Sequence, residues 1–271
     1  MTGPVRSDKL DLTAIALFLD VDGTLLEIAP TPYAVSVSGD VRERLRALSS
    51  ASGGGVALVS GRAIADLDAL FAPLKLPSAG LHGFERRGAA TGYRTRPLPS
   101  AAALETARGA MLDLAERHAG LLVEDKRFAL ALHYREAPHL EDAVVKAMEN
   151  VATRLAGELE LQHGKMVVEL RPAGATKGEA VAAFLAEAPF TRRLPVFIGD
   201  DLTDEPAFEL VNRFDGLSVI VGARRPSAAR TALADVSAVH DWLAQLQLEP
   251  AAALRQLAAA PRLRSKSRWH G

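Results

Sequence analysis

Short, wholly apolar runs alternate along the chain with longer stretches in which apolar residues recur every three or four positions. Residues 14 to 19 (AIALFL) form the first run, and Asp20 ends it abruptly. A run of that length entering an acidic, glycine-containing turn predicts a strand buried on both faces of a parallel sheet. Residues 40 to 49 (DVRERLRALS) place Val41, Leu45 and Leu48 on one side of a helix, with Asp40 as its opening residue. Residues 53 to 59 (GGGVALV) predict a second buried strand, and a helical stretch follows over 63 to 71. This β-α-β-α order is that of a parallel sheet with helices on its faces.

The same rhythm returns late in the chain, as a helix over 177 to 186, a strand over 195 to 198, a helix over 205 to 212 and a strand over 217 to 221. Between these halves the texture changes. Residues 101 to 118 and 138 to 156 read as helices, while 121 to 135 and 159 to 171 read as strand pairs. Two helices with two strand pairs make an α+β module, so an inserted domain is expected at 98 to 172, splitting an α/β core into residues 1 to 97 and 173 to 249. Pro97 and Pro99 before it, and Pro172-Ala173-Gly174 after it, suit linkers. Residues 250 to 271 read as a basic tail, either a helix end or disordered: Arg255, Arg262, Arg264, Lys266 and Arg268 lie there without an acid after Glu249.

Composition narrows the possible functions. A chain of 271 residues exceeds a typical domain of ~150, which fits a core with an insertion. The 32 basic side chains against 33 acidic ones give no electrostatic case for a nucleic-acid partner. The absence of cysteine removes disulfides, thiolate metal ligands and a thiol nucleophile. No apolar run approaches the ~18 residues of a membrane span, and residues 1 to 10 lack the apolar region of a signal peptide, so no membrane partner and a cytoplasmic location are expected. A monomer is the default expectation.

The candidate chemistry gathers at strand ends. Asp20 and Asp22 follow the first strand two residues apart, so both carboxylates can face one side, and Gly23 permits the turn that leaves the sheet. Alone, Asp-Val-Asp-Gly reads equally as a polar turn or as a site. Gly199-Asp200-Asp201 ends another strand, with Asp204 and Glu205 close behind. Four acids within six residues repel one another unless a cation neutralises them, and an all-oxygen set favours a hard ion such as Mg²⁺. Ser60 ends the second strand next to Gly61, where hydrogen-bond donors can approach a phosphate. Lys177 stands at the Thr-Lys-Gly entry to a helix, a place that favours anions.

Taken in order, DVDGT, the Ser60 region, Lys177 and GDDLTDE resemble the four motifs of haloacid dehalogenase superfamily phosphatases. The insertion between the second and third motifs resembles that superfamily's C2-type cap. Gly80-Leu81-His82-Gly83-Phe84-Glu85, Val123-Glu124-Asp125-Lys126, His133-Tyr134-Arg135, Gly164-Lys165 and Glu169-Leu170-Arg171-Pro172 are similar to segments of the trehalose-6-phosphate phosphatases. The resemblance covers residues 14 to 240 and implies a Rossmann-like parallel core with an inserted α+β cap. It implies hydrolysis of a small sugar phosphate, trehalose 6-phosphate, through an aspartyl-phosphate. Asp20 would be the nucleophile, Asp22 the acid and base, and Ser60 and Lys177 would steady the phosphoryl oxygens. Mg²⁺ would lie among the Asp20 carboxylate, the Asp22 carbonyl and Asp200, with Asp201 and Asp204 holding metal-bound waters or Lys177. In the cap, Glu124, Lys126, Arg135, Lys165 and Glu169 would bind the sugar or its phosphate.

The residues themselves leave parts of this open. Lys165, Val167, Glu169 and Arg171 share one strand parity while Met166, Val168 and Leu170 share the other. That describes either a ligand-binding sheet face or an ordinary solvated one. Arg62 reads as a helix-entry residue or a phosphate contact, and His82 and Glu85 as substrate-side or packing residues. Tyr33 and the loop from Pro30 to Pro32 are placed where they can border the pocket. The nearest rivals are cap-bearing phosphatases for sucrose phosphate, mannosyl phosphoglycerate or a hexose phosphate. A phosphoryl-accepting receiver module is a rival of another class, but it needs neither Asp22 nor an inserted cap of about 75 residues.

Overall fold

The computed structural model describes residues 11–28, 35–155, 157–222 and 226–259. Tyr33, the loop from Pro30 to Pro32, and Arg262, Arg264, Lys266 and Arg268 lie outside them. In chain order come β1 (Ile15–Leu19), α1 (Gly39–Ala51), β2 (Val56–Val59), α2 (Ile64–Phe71), β3 (Ser78–Gly80), β4 (Glu85–Gly88) and β5 (Gly92–Thr95). Next are α3 (Ala101–Arg117), β6 (Leu122–Asp125), β7 (Leu130–His133), α4 (Glu141–Arg154), β8 (Leu159–Gly164) and β9 (Val167–Pro172). The chain then forms α5 (Lys177–Leu185), β10 (Leu194–Gly199), α6 (Glu205–Arg213), β11 (Leu217–Val221), β12 (Thr231–Leu233), α7 (Val236–Leu248) and α8 (Pro250–Ala259).

An eight-stranded sheet runs β12-β11-β10-β1-β2-β3-β4-β5. It is parallel from β12 to β3, and β4 and β5 extend it antiparallel. All five residues of β1 are buried because both of its faces are covered. Ile15, Leu17 and Leu19 enter one core with residues of α1, α7 and α8, whereas Ala16 and Phe18 enter the opposite core with α5 and α6. Phe18, Phe184 and Phe190 meet there with ring centroids 5.2 to 5.9 Å apart. The period of two therefore aims the even positions of β1, and Asp20 beyond them, toward α5.

The smaller sheet, β6-β7-β9-β8, is antiparallel. Leu130, Leu132, Val168 and Leu170 pack beneath α3 and α4, against residues such as Met111 and Met148. Its other face looks back toward the end of β1.

Local structure departs from the sequence expectations in several places. The first helix is opened by Ser38, in extended conformation, whose Oγ accepts from Val41 N at 3.3 Å, and not by Asp40. Asp40 sits in the first turn instead, where its charge suits the helix dipole. Gly53 and Gly54 have positive φ and turn the chain out of α1, so the second strand begins only at Val56. β4 and β5 are strands that the hydrophobic pattern does not reveal, since ERRG and GYRT are polar. Of the two readings of the segment after residue 249, the helical one describes its start, where α8 places Leu254 and Leu257 in the core.

Candidate active site

Asp20 is 4 % exposed at the end of β1, and Lys177, the first residue of α5, is 2 % exposed. Lys177 Nζ donates to Asp20 Oδ1 at 2.7 Å and to Asp204 Oδ1 at 2.6 Å. An ammonium at a helix N-terminus opposes the dipole and is costly to bury, so the lysine depends on its two carboxylates. Thr176 caps α5 by accepting from Glu179 N at 3.1 Å, and the Glu179 carboxylate reaches back to Thr176 N, fixing where Lys177 starts. Burial disfavours the charge of Lys177, yet Asp20 and Asp204 hold its pKa well above the usual lysine range.

Asp200, two residues after Ile198, completes this floor. One oxygen each from Asp20, Asp200 and Asp204 lies within 4.8 Å of the others. Both oxygens of Asp204 are engaged, Oδ1 by Lys177 and Oδ2 by Asp201 N at 2.9 Å. Asp204 is also fully buried behind the cavity wall, whereas Asp20 and Asp200 line the cavity, so those two are the carboxylates of the trio that can face a cation. Gly23 has φ +82° and any Cβ there would fall on the Asp200 carboxylate, so the turn after Asp22 lies directly against Asp200. Burial, with the Asp204 carboxylate adding to it against the pull of Lys177, pushes Asp200 up to about 7. Burial likewise pushes Asp20 above the usual range, opposed by Lys177 and assisted by Asp204 and Asp200. Three buried or half-buried acids sharing one ammonium form an electron-rich oxygen set, and a hard divalent cation fits it.

Asp22 lines the same cavity and is held by Arg62 in a two-pronged ion pair, Nε to Oδ2 and Nη2 to Oδ1, both at 2.7 Å. Ser60, at the end of β2, accepts from Arg62 N through Oγ at 3.1 Å, which leaves its own hydroxyl hydrogen to point elsewhere.

The smaller sheet supplies the roof. Its register sets Glu124, Ala131, Glu169 and Gln162 side by side on adjacent strands. The small Ala131 leaves room between the two carboxylates. Lys126 Nζ donates to Glu169 Oε2 at 3.1 Å and, across to the larger sheet's side, to the Gly61 carbonyl at 3.4 Å. His82 Nε2, in the turn after β3, meets the same Glu169 oxygen at 3.3 Å. Burial holds His82 below its ordinary value, so at neutral pH it is an uncharged donor through Nε2. Burial alone would raise Glu169, but Lys126 and His82 hold it well below the carboxylate range. Glu169 Oε1 is buried with no hydrogen-bond partner among the described residues.

Asp20, Asp22, Ser60, Arg62, Lys177, Asp200 and Asp201 line one cavity from below. His82, Glu124, Lys126, Arg135, Lys165 and Glu169 line it from above and from the side. Asp204 is fully buried behind the cavity wall and touches Lys177. Arg171, of the same strand parity as Glu169, instead pairs with Glu160 at 2.6 Å and with the Ala175 carbonyl, so the far end of β9 is structural. His133 and Gln162 also line the cavity, though the sequence reading gave neither a role at the site. His133 meets Glu124 Oε2 at 2.8 Å through Nε2, and Gln162 stands beside Glu169. The signal for His133 was present: Leu130, Leu132 and Tyr134 are core residues, so Ala131, His133 and Arg135 must share the other face.

The family model for trehalose-phosphatase matches residues 18–237. The chain is 43% identical over 243 residues to the trehalose-6-phosphate phosphatase of Escherichia coli, covering 90% of each. It is 44% identical over 239 residues to a Sinorhizobium fredii protein named "Probable trehalose-phosphate phosphatase", covering 88% of this chain and 89% of that one. Among solved structures, the C-terminal domain of trehalose-6-phosphate phosphatase from C. albicans superposes with a TM-score of 0.78 at 23% identity, covering 87% of this chain and 93% of that one, and shares the fold. A parallel core with the smaller sheet inserted after its first half is the haloacid dehalogenase arrangement with a cap. With a matching family model over most of its length and relatives above 40% identity, the chain belongs to the trehalose-phosphatase family.

Proposed function

We propose that this protein hydrolyses trehalose 6-phosphate to trehalose and phosphate, the last step of trehalose biosynthesis, with Mg²⁺ and a covalent aspartyl-phosphate. What supports this most is the polar roof over Asp20: Glu124, Glu169 and Gln162 in one row, with Lys126 reaching the Gly61 carbonyl. Carboxylates and amides at fixed spacing suit a ligand covered in hydroxyls, which both donate and accept. Glu169 Oε1, buried and without a partner among the described residues, is an acceptor ready for such a hydroxyl.

In the first step an Asp20 oxygen attacks phosphorus, the bond from phosphorus to the sugar oxygen breaks, and Asp22 delivers a proton to that oxygen. In the second, Asp22 takes a proton from water, the water oxygen attacks phosphorus, and the Asp20 carboxylate is released with inorganic phosphate. Arg62 orients Asp22 beforehand through its two-pronged grip and would turn its donors to the incoming phosphoryl group, which frees Asp22 to take up from solvent the proton it delivers. Ser60 and Lys177 stabilise the phosphoryl oxygens. Asp20, Asp200 and the Asp22 carbonyl would hold Mg²⁺, and Asp201 waters around it. When bound, the cation supplies the positive charge that offsets repulsion between Asp20 and a phosphate dianion.

The roof is tested by Glu124→Ala. Loss of a hydrogen bond from a charged group, worth ~1.5–3 kcal/mol, should lower kcat/KM on trehalose 6-phosphate by about 10- to 150-fold. A small aryl phosphate, which cannot reach the roof, should lose less than about threefold. Equal losses on both substrates would remove the specificity role.

The floor makes a separate prediction about stability. Without a cation, folded Asp200 keeps its proton up to about pH 7, while the unfolded chain loses it near 3.8. Its contribution to stability is therefore full below about pH 4 and is lost as pH rises toward 7. Mg²⁺ competes with that proton, so its addition should raise Tm by several degrees at pH 7.5 and by much less at pH 5. The same shift at both pH values would place the cation elsewhere.

A further inference from the structure

Glu85 is a buried acid that takes no part in the chemistry just described. It is 4 % exposed on β4, and its two oxygens accept from the Ile64 backbone N–H and from the Tyr93 hydroxyl. Ile64 is the first residue of α2, whose preceding residue, Ala63, offers no side-chain cap. Glu85 thus does from a different strand what a capping side chain would do locally.

The segment so held is the one that carries Ser60 and Arg62. Leu81 N donates to the Arg62 carbonyl at 3.0 Å, and His82 N donates to the Ser60 carbonyl at 3.0 Å. Those two amides come from a turn in which Leu81 and His82 both have positive φ, +49° and +57°. Gly80 marks the convergence: a Cβ there would lie 2.6 Å from Glu85 Oε1, 2.7 Å from the Arg62 carbonyl oxygen and 2.8 Å from Ile64 N. The peptide units on both sides of Ala63 are therefore fixed, one by Leu81 and one by Glu85. Arg62 projects from this bracket to reach Asp22, 40 residues away in sequence, with both prongs at 2.7 Å.

We infer that Glu85 is a positioning residue that aims the Arg62 guanidinium at Asp22 and the phosphoryl group by fixing the backbone from Arg62 to Ile64. The inference rests on the reading of Arg62 as the residue that serves Asp22 and phosphate. Misplacing a catalytic group by ~1 Å can cost about 100-fold, so a large effect is expected from a residue that touches no substrate.

A double-mutant cycle on kcat/KM for trehalose 6-phosphate tests it. Glu85→Ala should lower activity by about 30- to 100-fold in the natural background but by less than about threefold when Arg62 is already alanine. Glu85→Gln keeps an oxygen for the Ile64 N–H and an amide for the Tyr93 hydroxyl, and should return activity to within about fivefold of the unmodified enzyme. Glu85→Asp, one methylene short of Ile64, should behave as the alanine variant while keeping the charge, so the comparison stands even if the alanine variant does not fold. The same fold-loss with and without Arg62, no loss in either variant, or a glutamine variant as poor as alanine would each overturn the inference. Arg62→Ala alone at full activity would instead overturn the role given to Arg62.

Discussion

Asp20→Asn should release no measurable phosphate, provided deamidation back to aspartate is excluded by mass spectrometry. Hydrolysis of a phosphate monoester requires acceleration of up to ~10²¹, about 29 kcal/mol of barrier. A general acid-base group contributes ~10²–10⁴, so no arrangement of Asp22 and water alone approaches that figure. Splitting the displacement into two steps needs an anionic oxygen at phosphorus, and the asparagine amide supplies none. Asp20 is also the residue to which Lys177 and Thr24 both donate, at 2.7 and 3.3 Å, so its oxygens are already aimed. Asp22→Asn should differ in kind, keeping a trace of phospho-enzyme formation with little turnover, because the nucleophile is intact and only the proton transfers are lost. Substantial turnover by a verified Asp20→Asn protein would remove the covalent mechanism.

The second large effect is expected from Lys177→Met. Methionine fills the volume of the lysine stem but leaves Asp20 and Asp204 facing each other without the ammonium that bonds them both. Breaking a buried ion pair by removing one partner costs about 3–5 kcal/mol, and here one lysine serves two acids. Activity should fall by ~10³ or more, since the phosphoryl oxygens lose a fixed donor and the nucleophile loses its orienting partner. Stability should fall most at neutral pH. Lys177 has a raised pKa, so its contribution is present throughout the range below the ordinary lysine value, near 10.5. Without it, the buried acids can relieve their repulsion only by taking up protons, and the loss in Tm should shrink from pH 7.5 to pH 5. A variant with unchanged Tm across that range would show that the three side chains do not form the network seen here.

The parts of this site that could be read from sequence are those anchored to strand ends. A fully buried strand leaves its first polar residues at the carboxyl edge of the sheet, so Asp20, Ser60 and Asp200 were placed once β1, β2 and β10 were recognised. The two faces of β9 were legible through its period of two, with Val168 and Leu170 toward the cap core and Glu169 opposite them, but that period alone left open whether the Glu169 face meets ligand or solvent. The parts that were hidden depend on partners distant in sequence. β4 carries polar residues because ion pairs hold it where apolar side chains would hold an interior strand, and β5 beside it is an exposed edge strand. Arg87 grips Asp68 with two bonds of 2.7 Å, and Arg86 reaches Glu187, 101 residues away. The pairing of Arg62 with Asp22 was hidden in the same way, because only the folded chain brings the two together. Glu85 read as substrate-side or packing for the same reason, since neither Ile64 nor Tyr93 is marked as its partner by any local pattern.

No helix among the described residues is long and apolar enough to cross a membrane, and the cavity between the two sheets is lined by the buried charges of Asp20, Glu169 and Lys177. The most direct test of what that cavity does is phosphate release by the purified protein from a panel of trehalose 6-phosphate, sucrose 6-phosphate, glucose 6-phosphate, mannosyl phosphoglycerate and a small aryl phosphate, each with Mg²⁺ and with a chelator. The expected result is fast, Mg²⁺-dependent release from trehalose 6-phosphate, with kcat/KM at least ~100-fold above every other member of the panel. Equal or greater activity on another sugar phosphate, stoichiometric phosphorylation without turnover, or full activity in chelator would contradict the account.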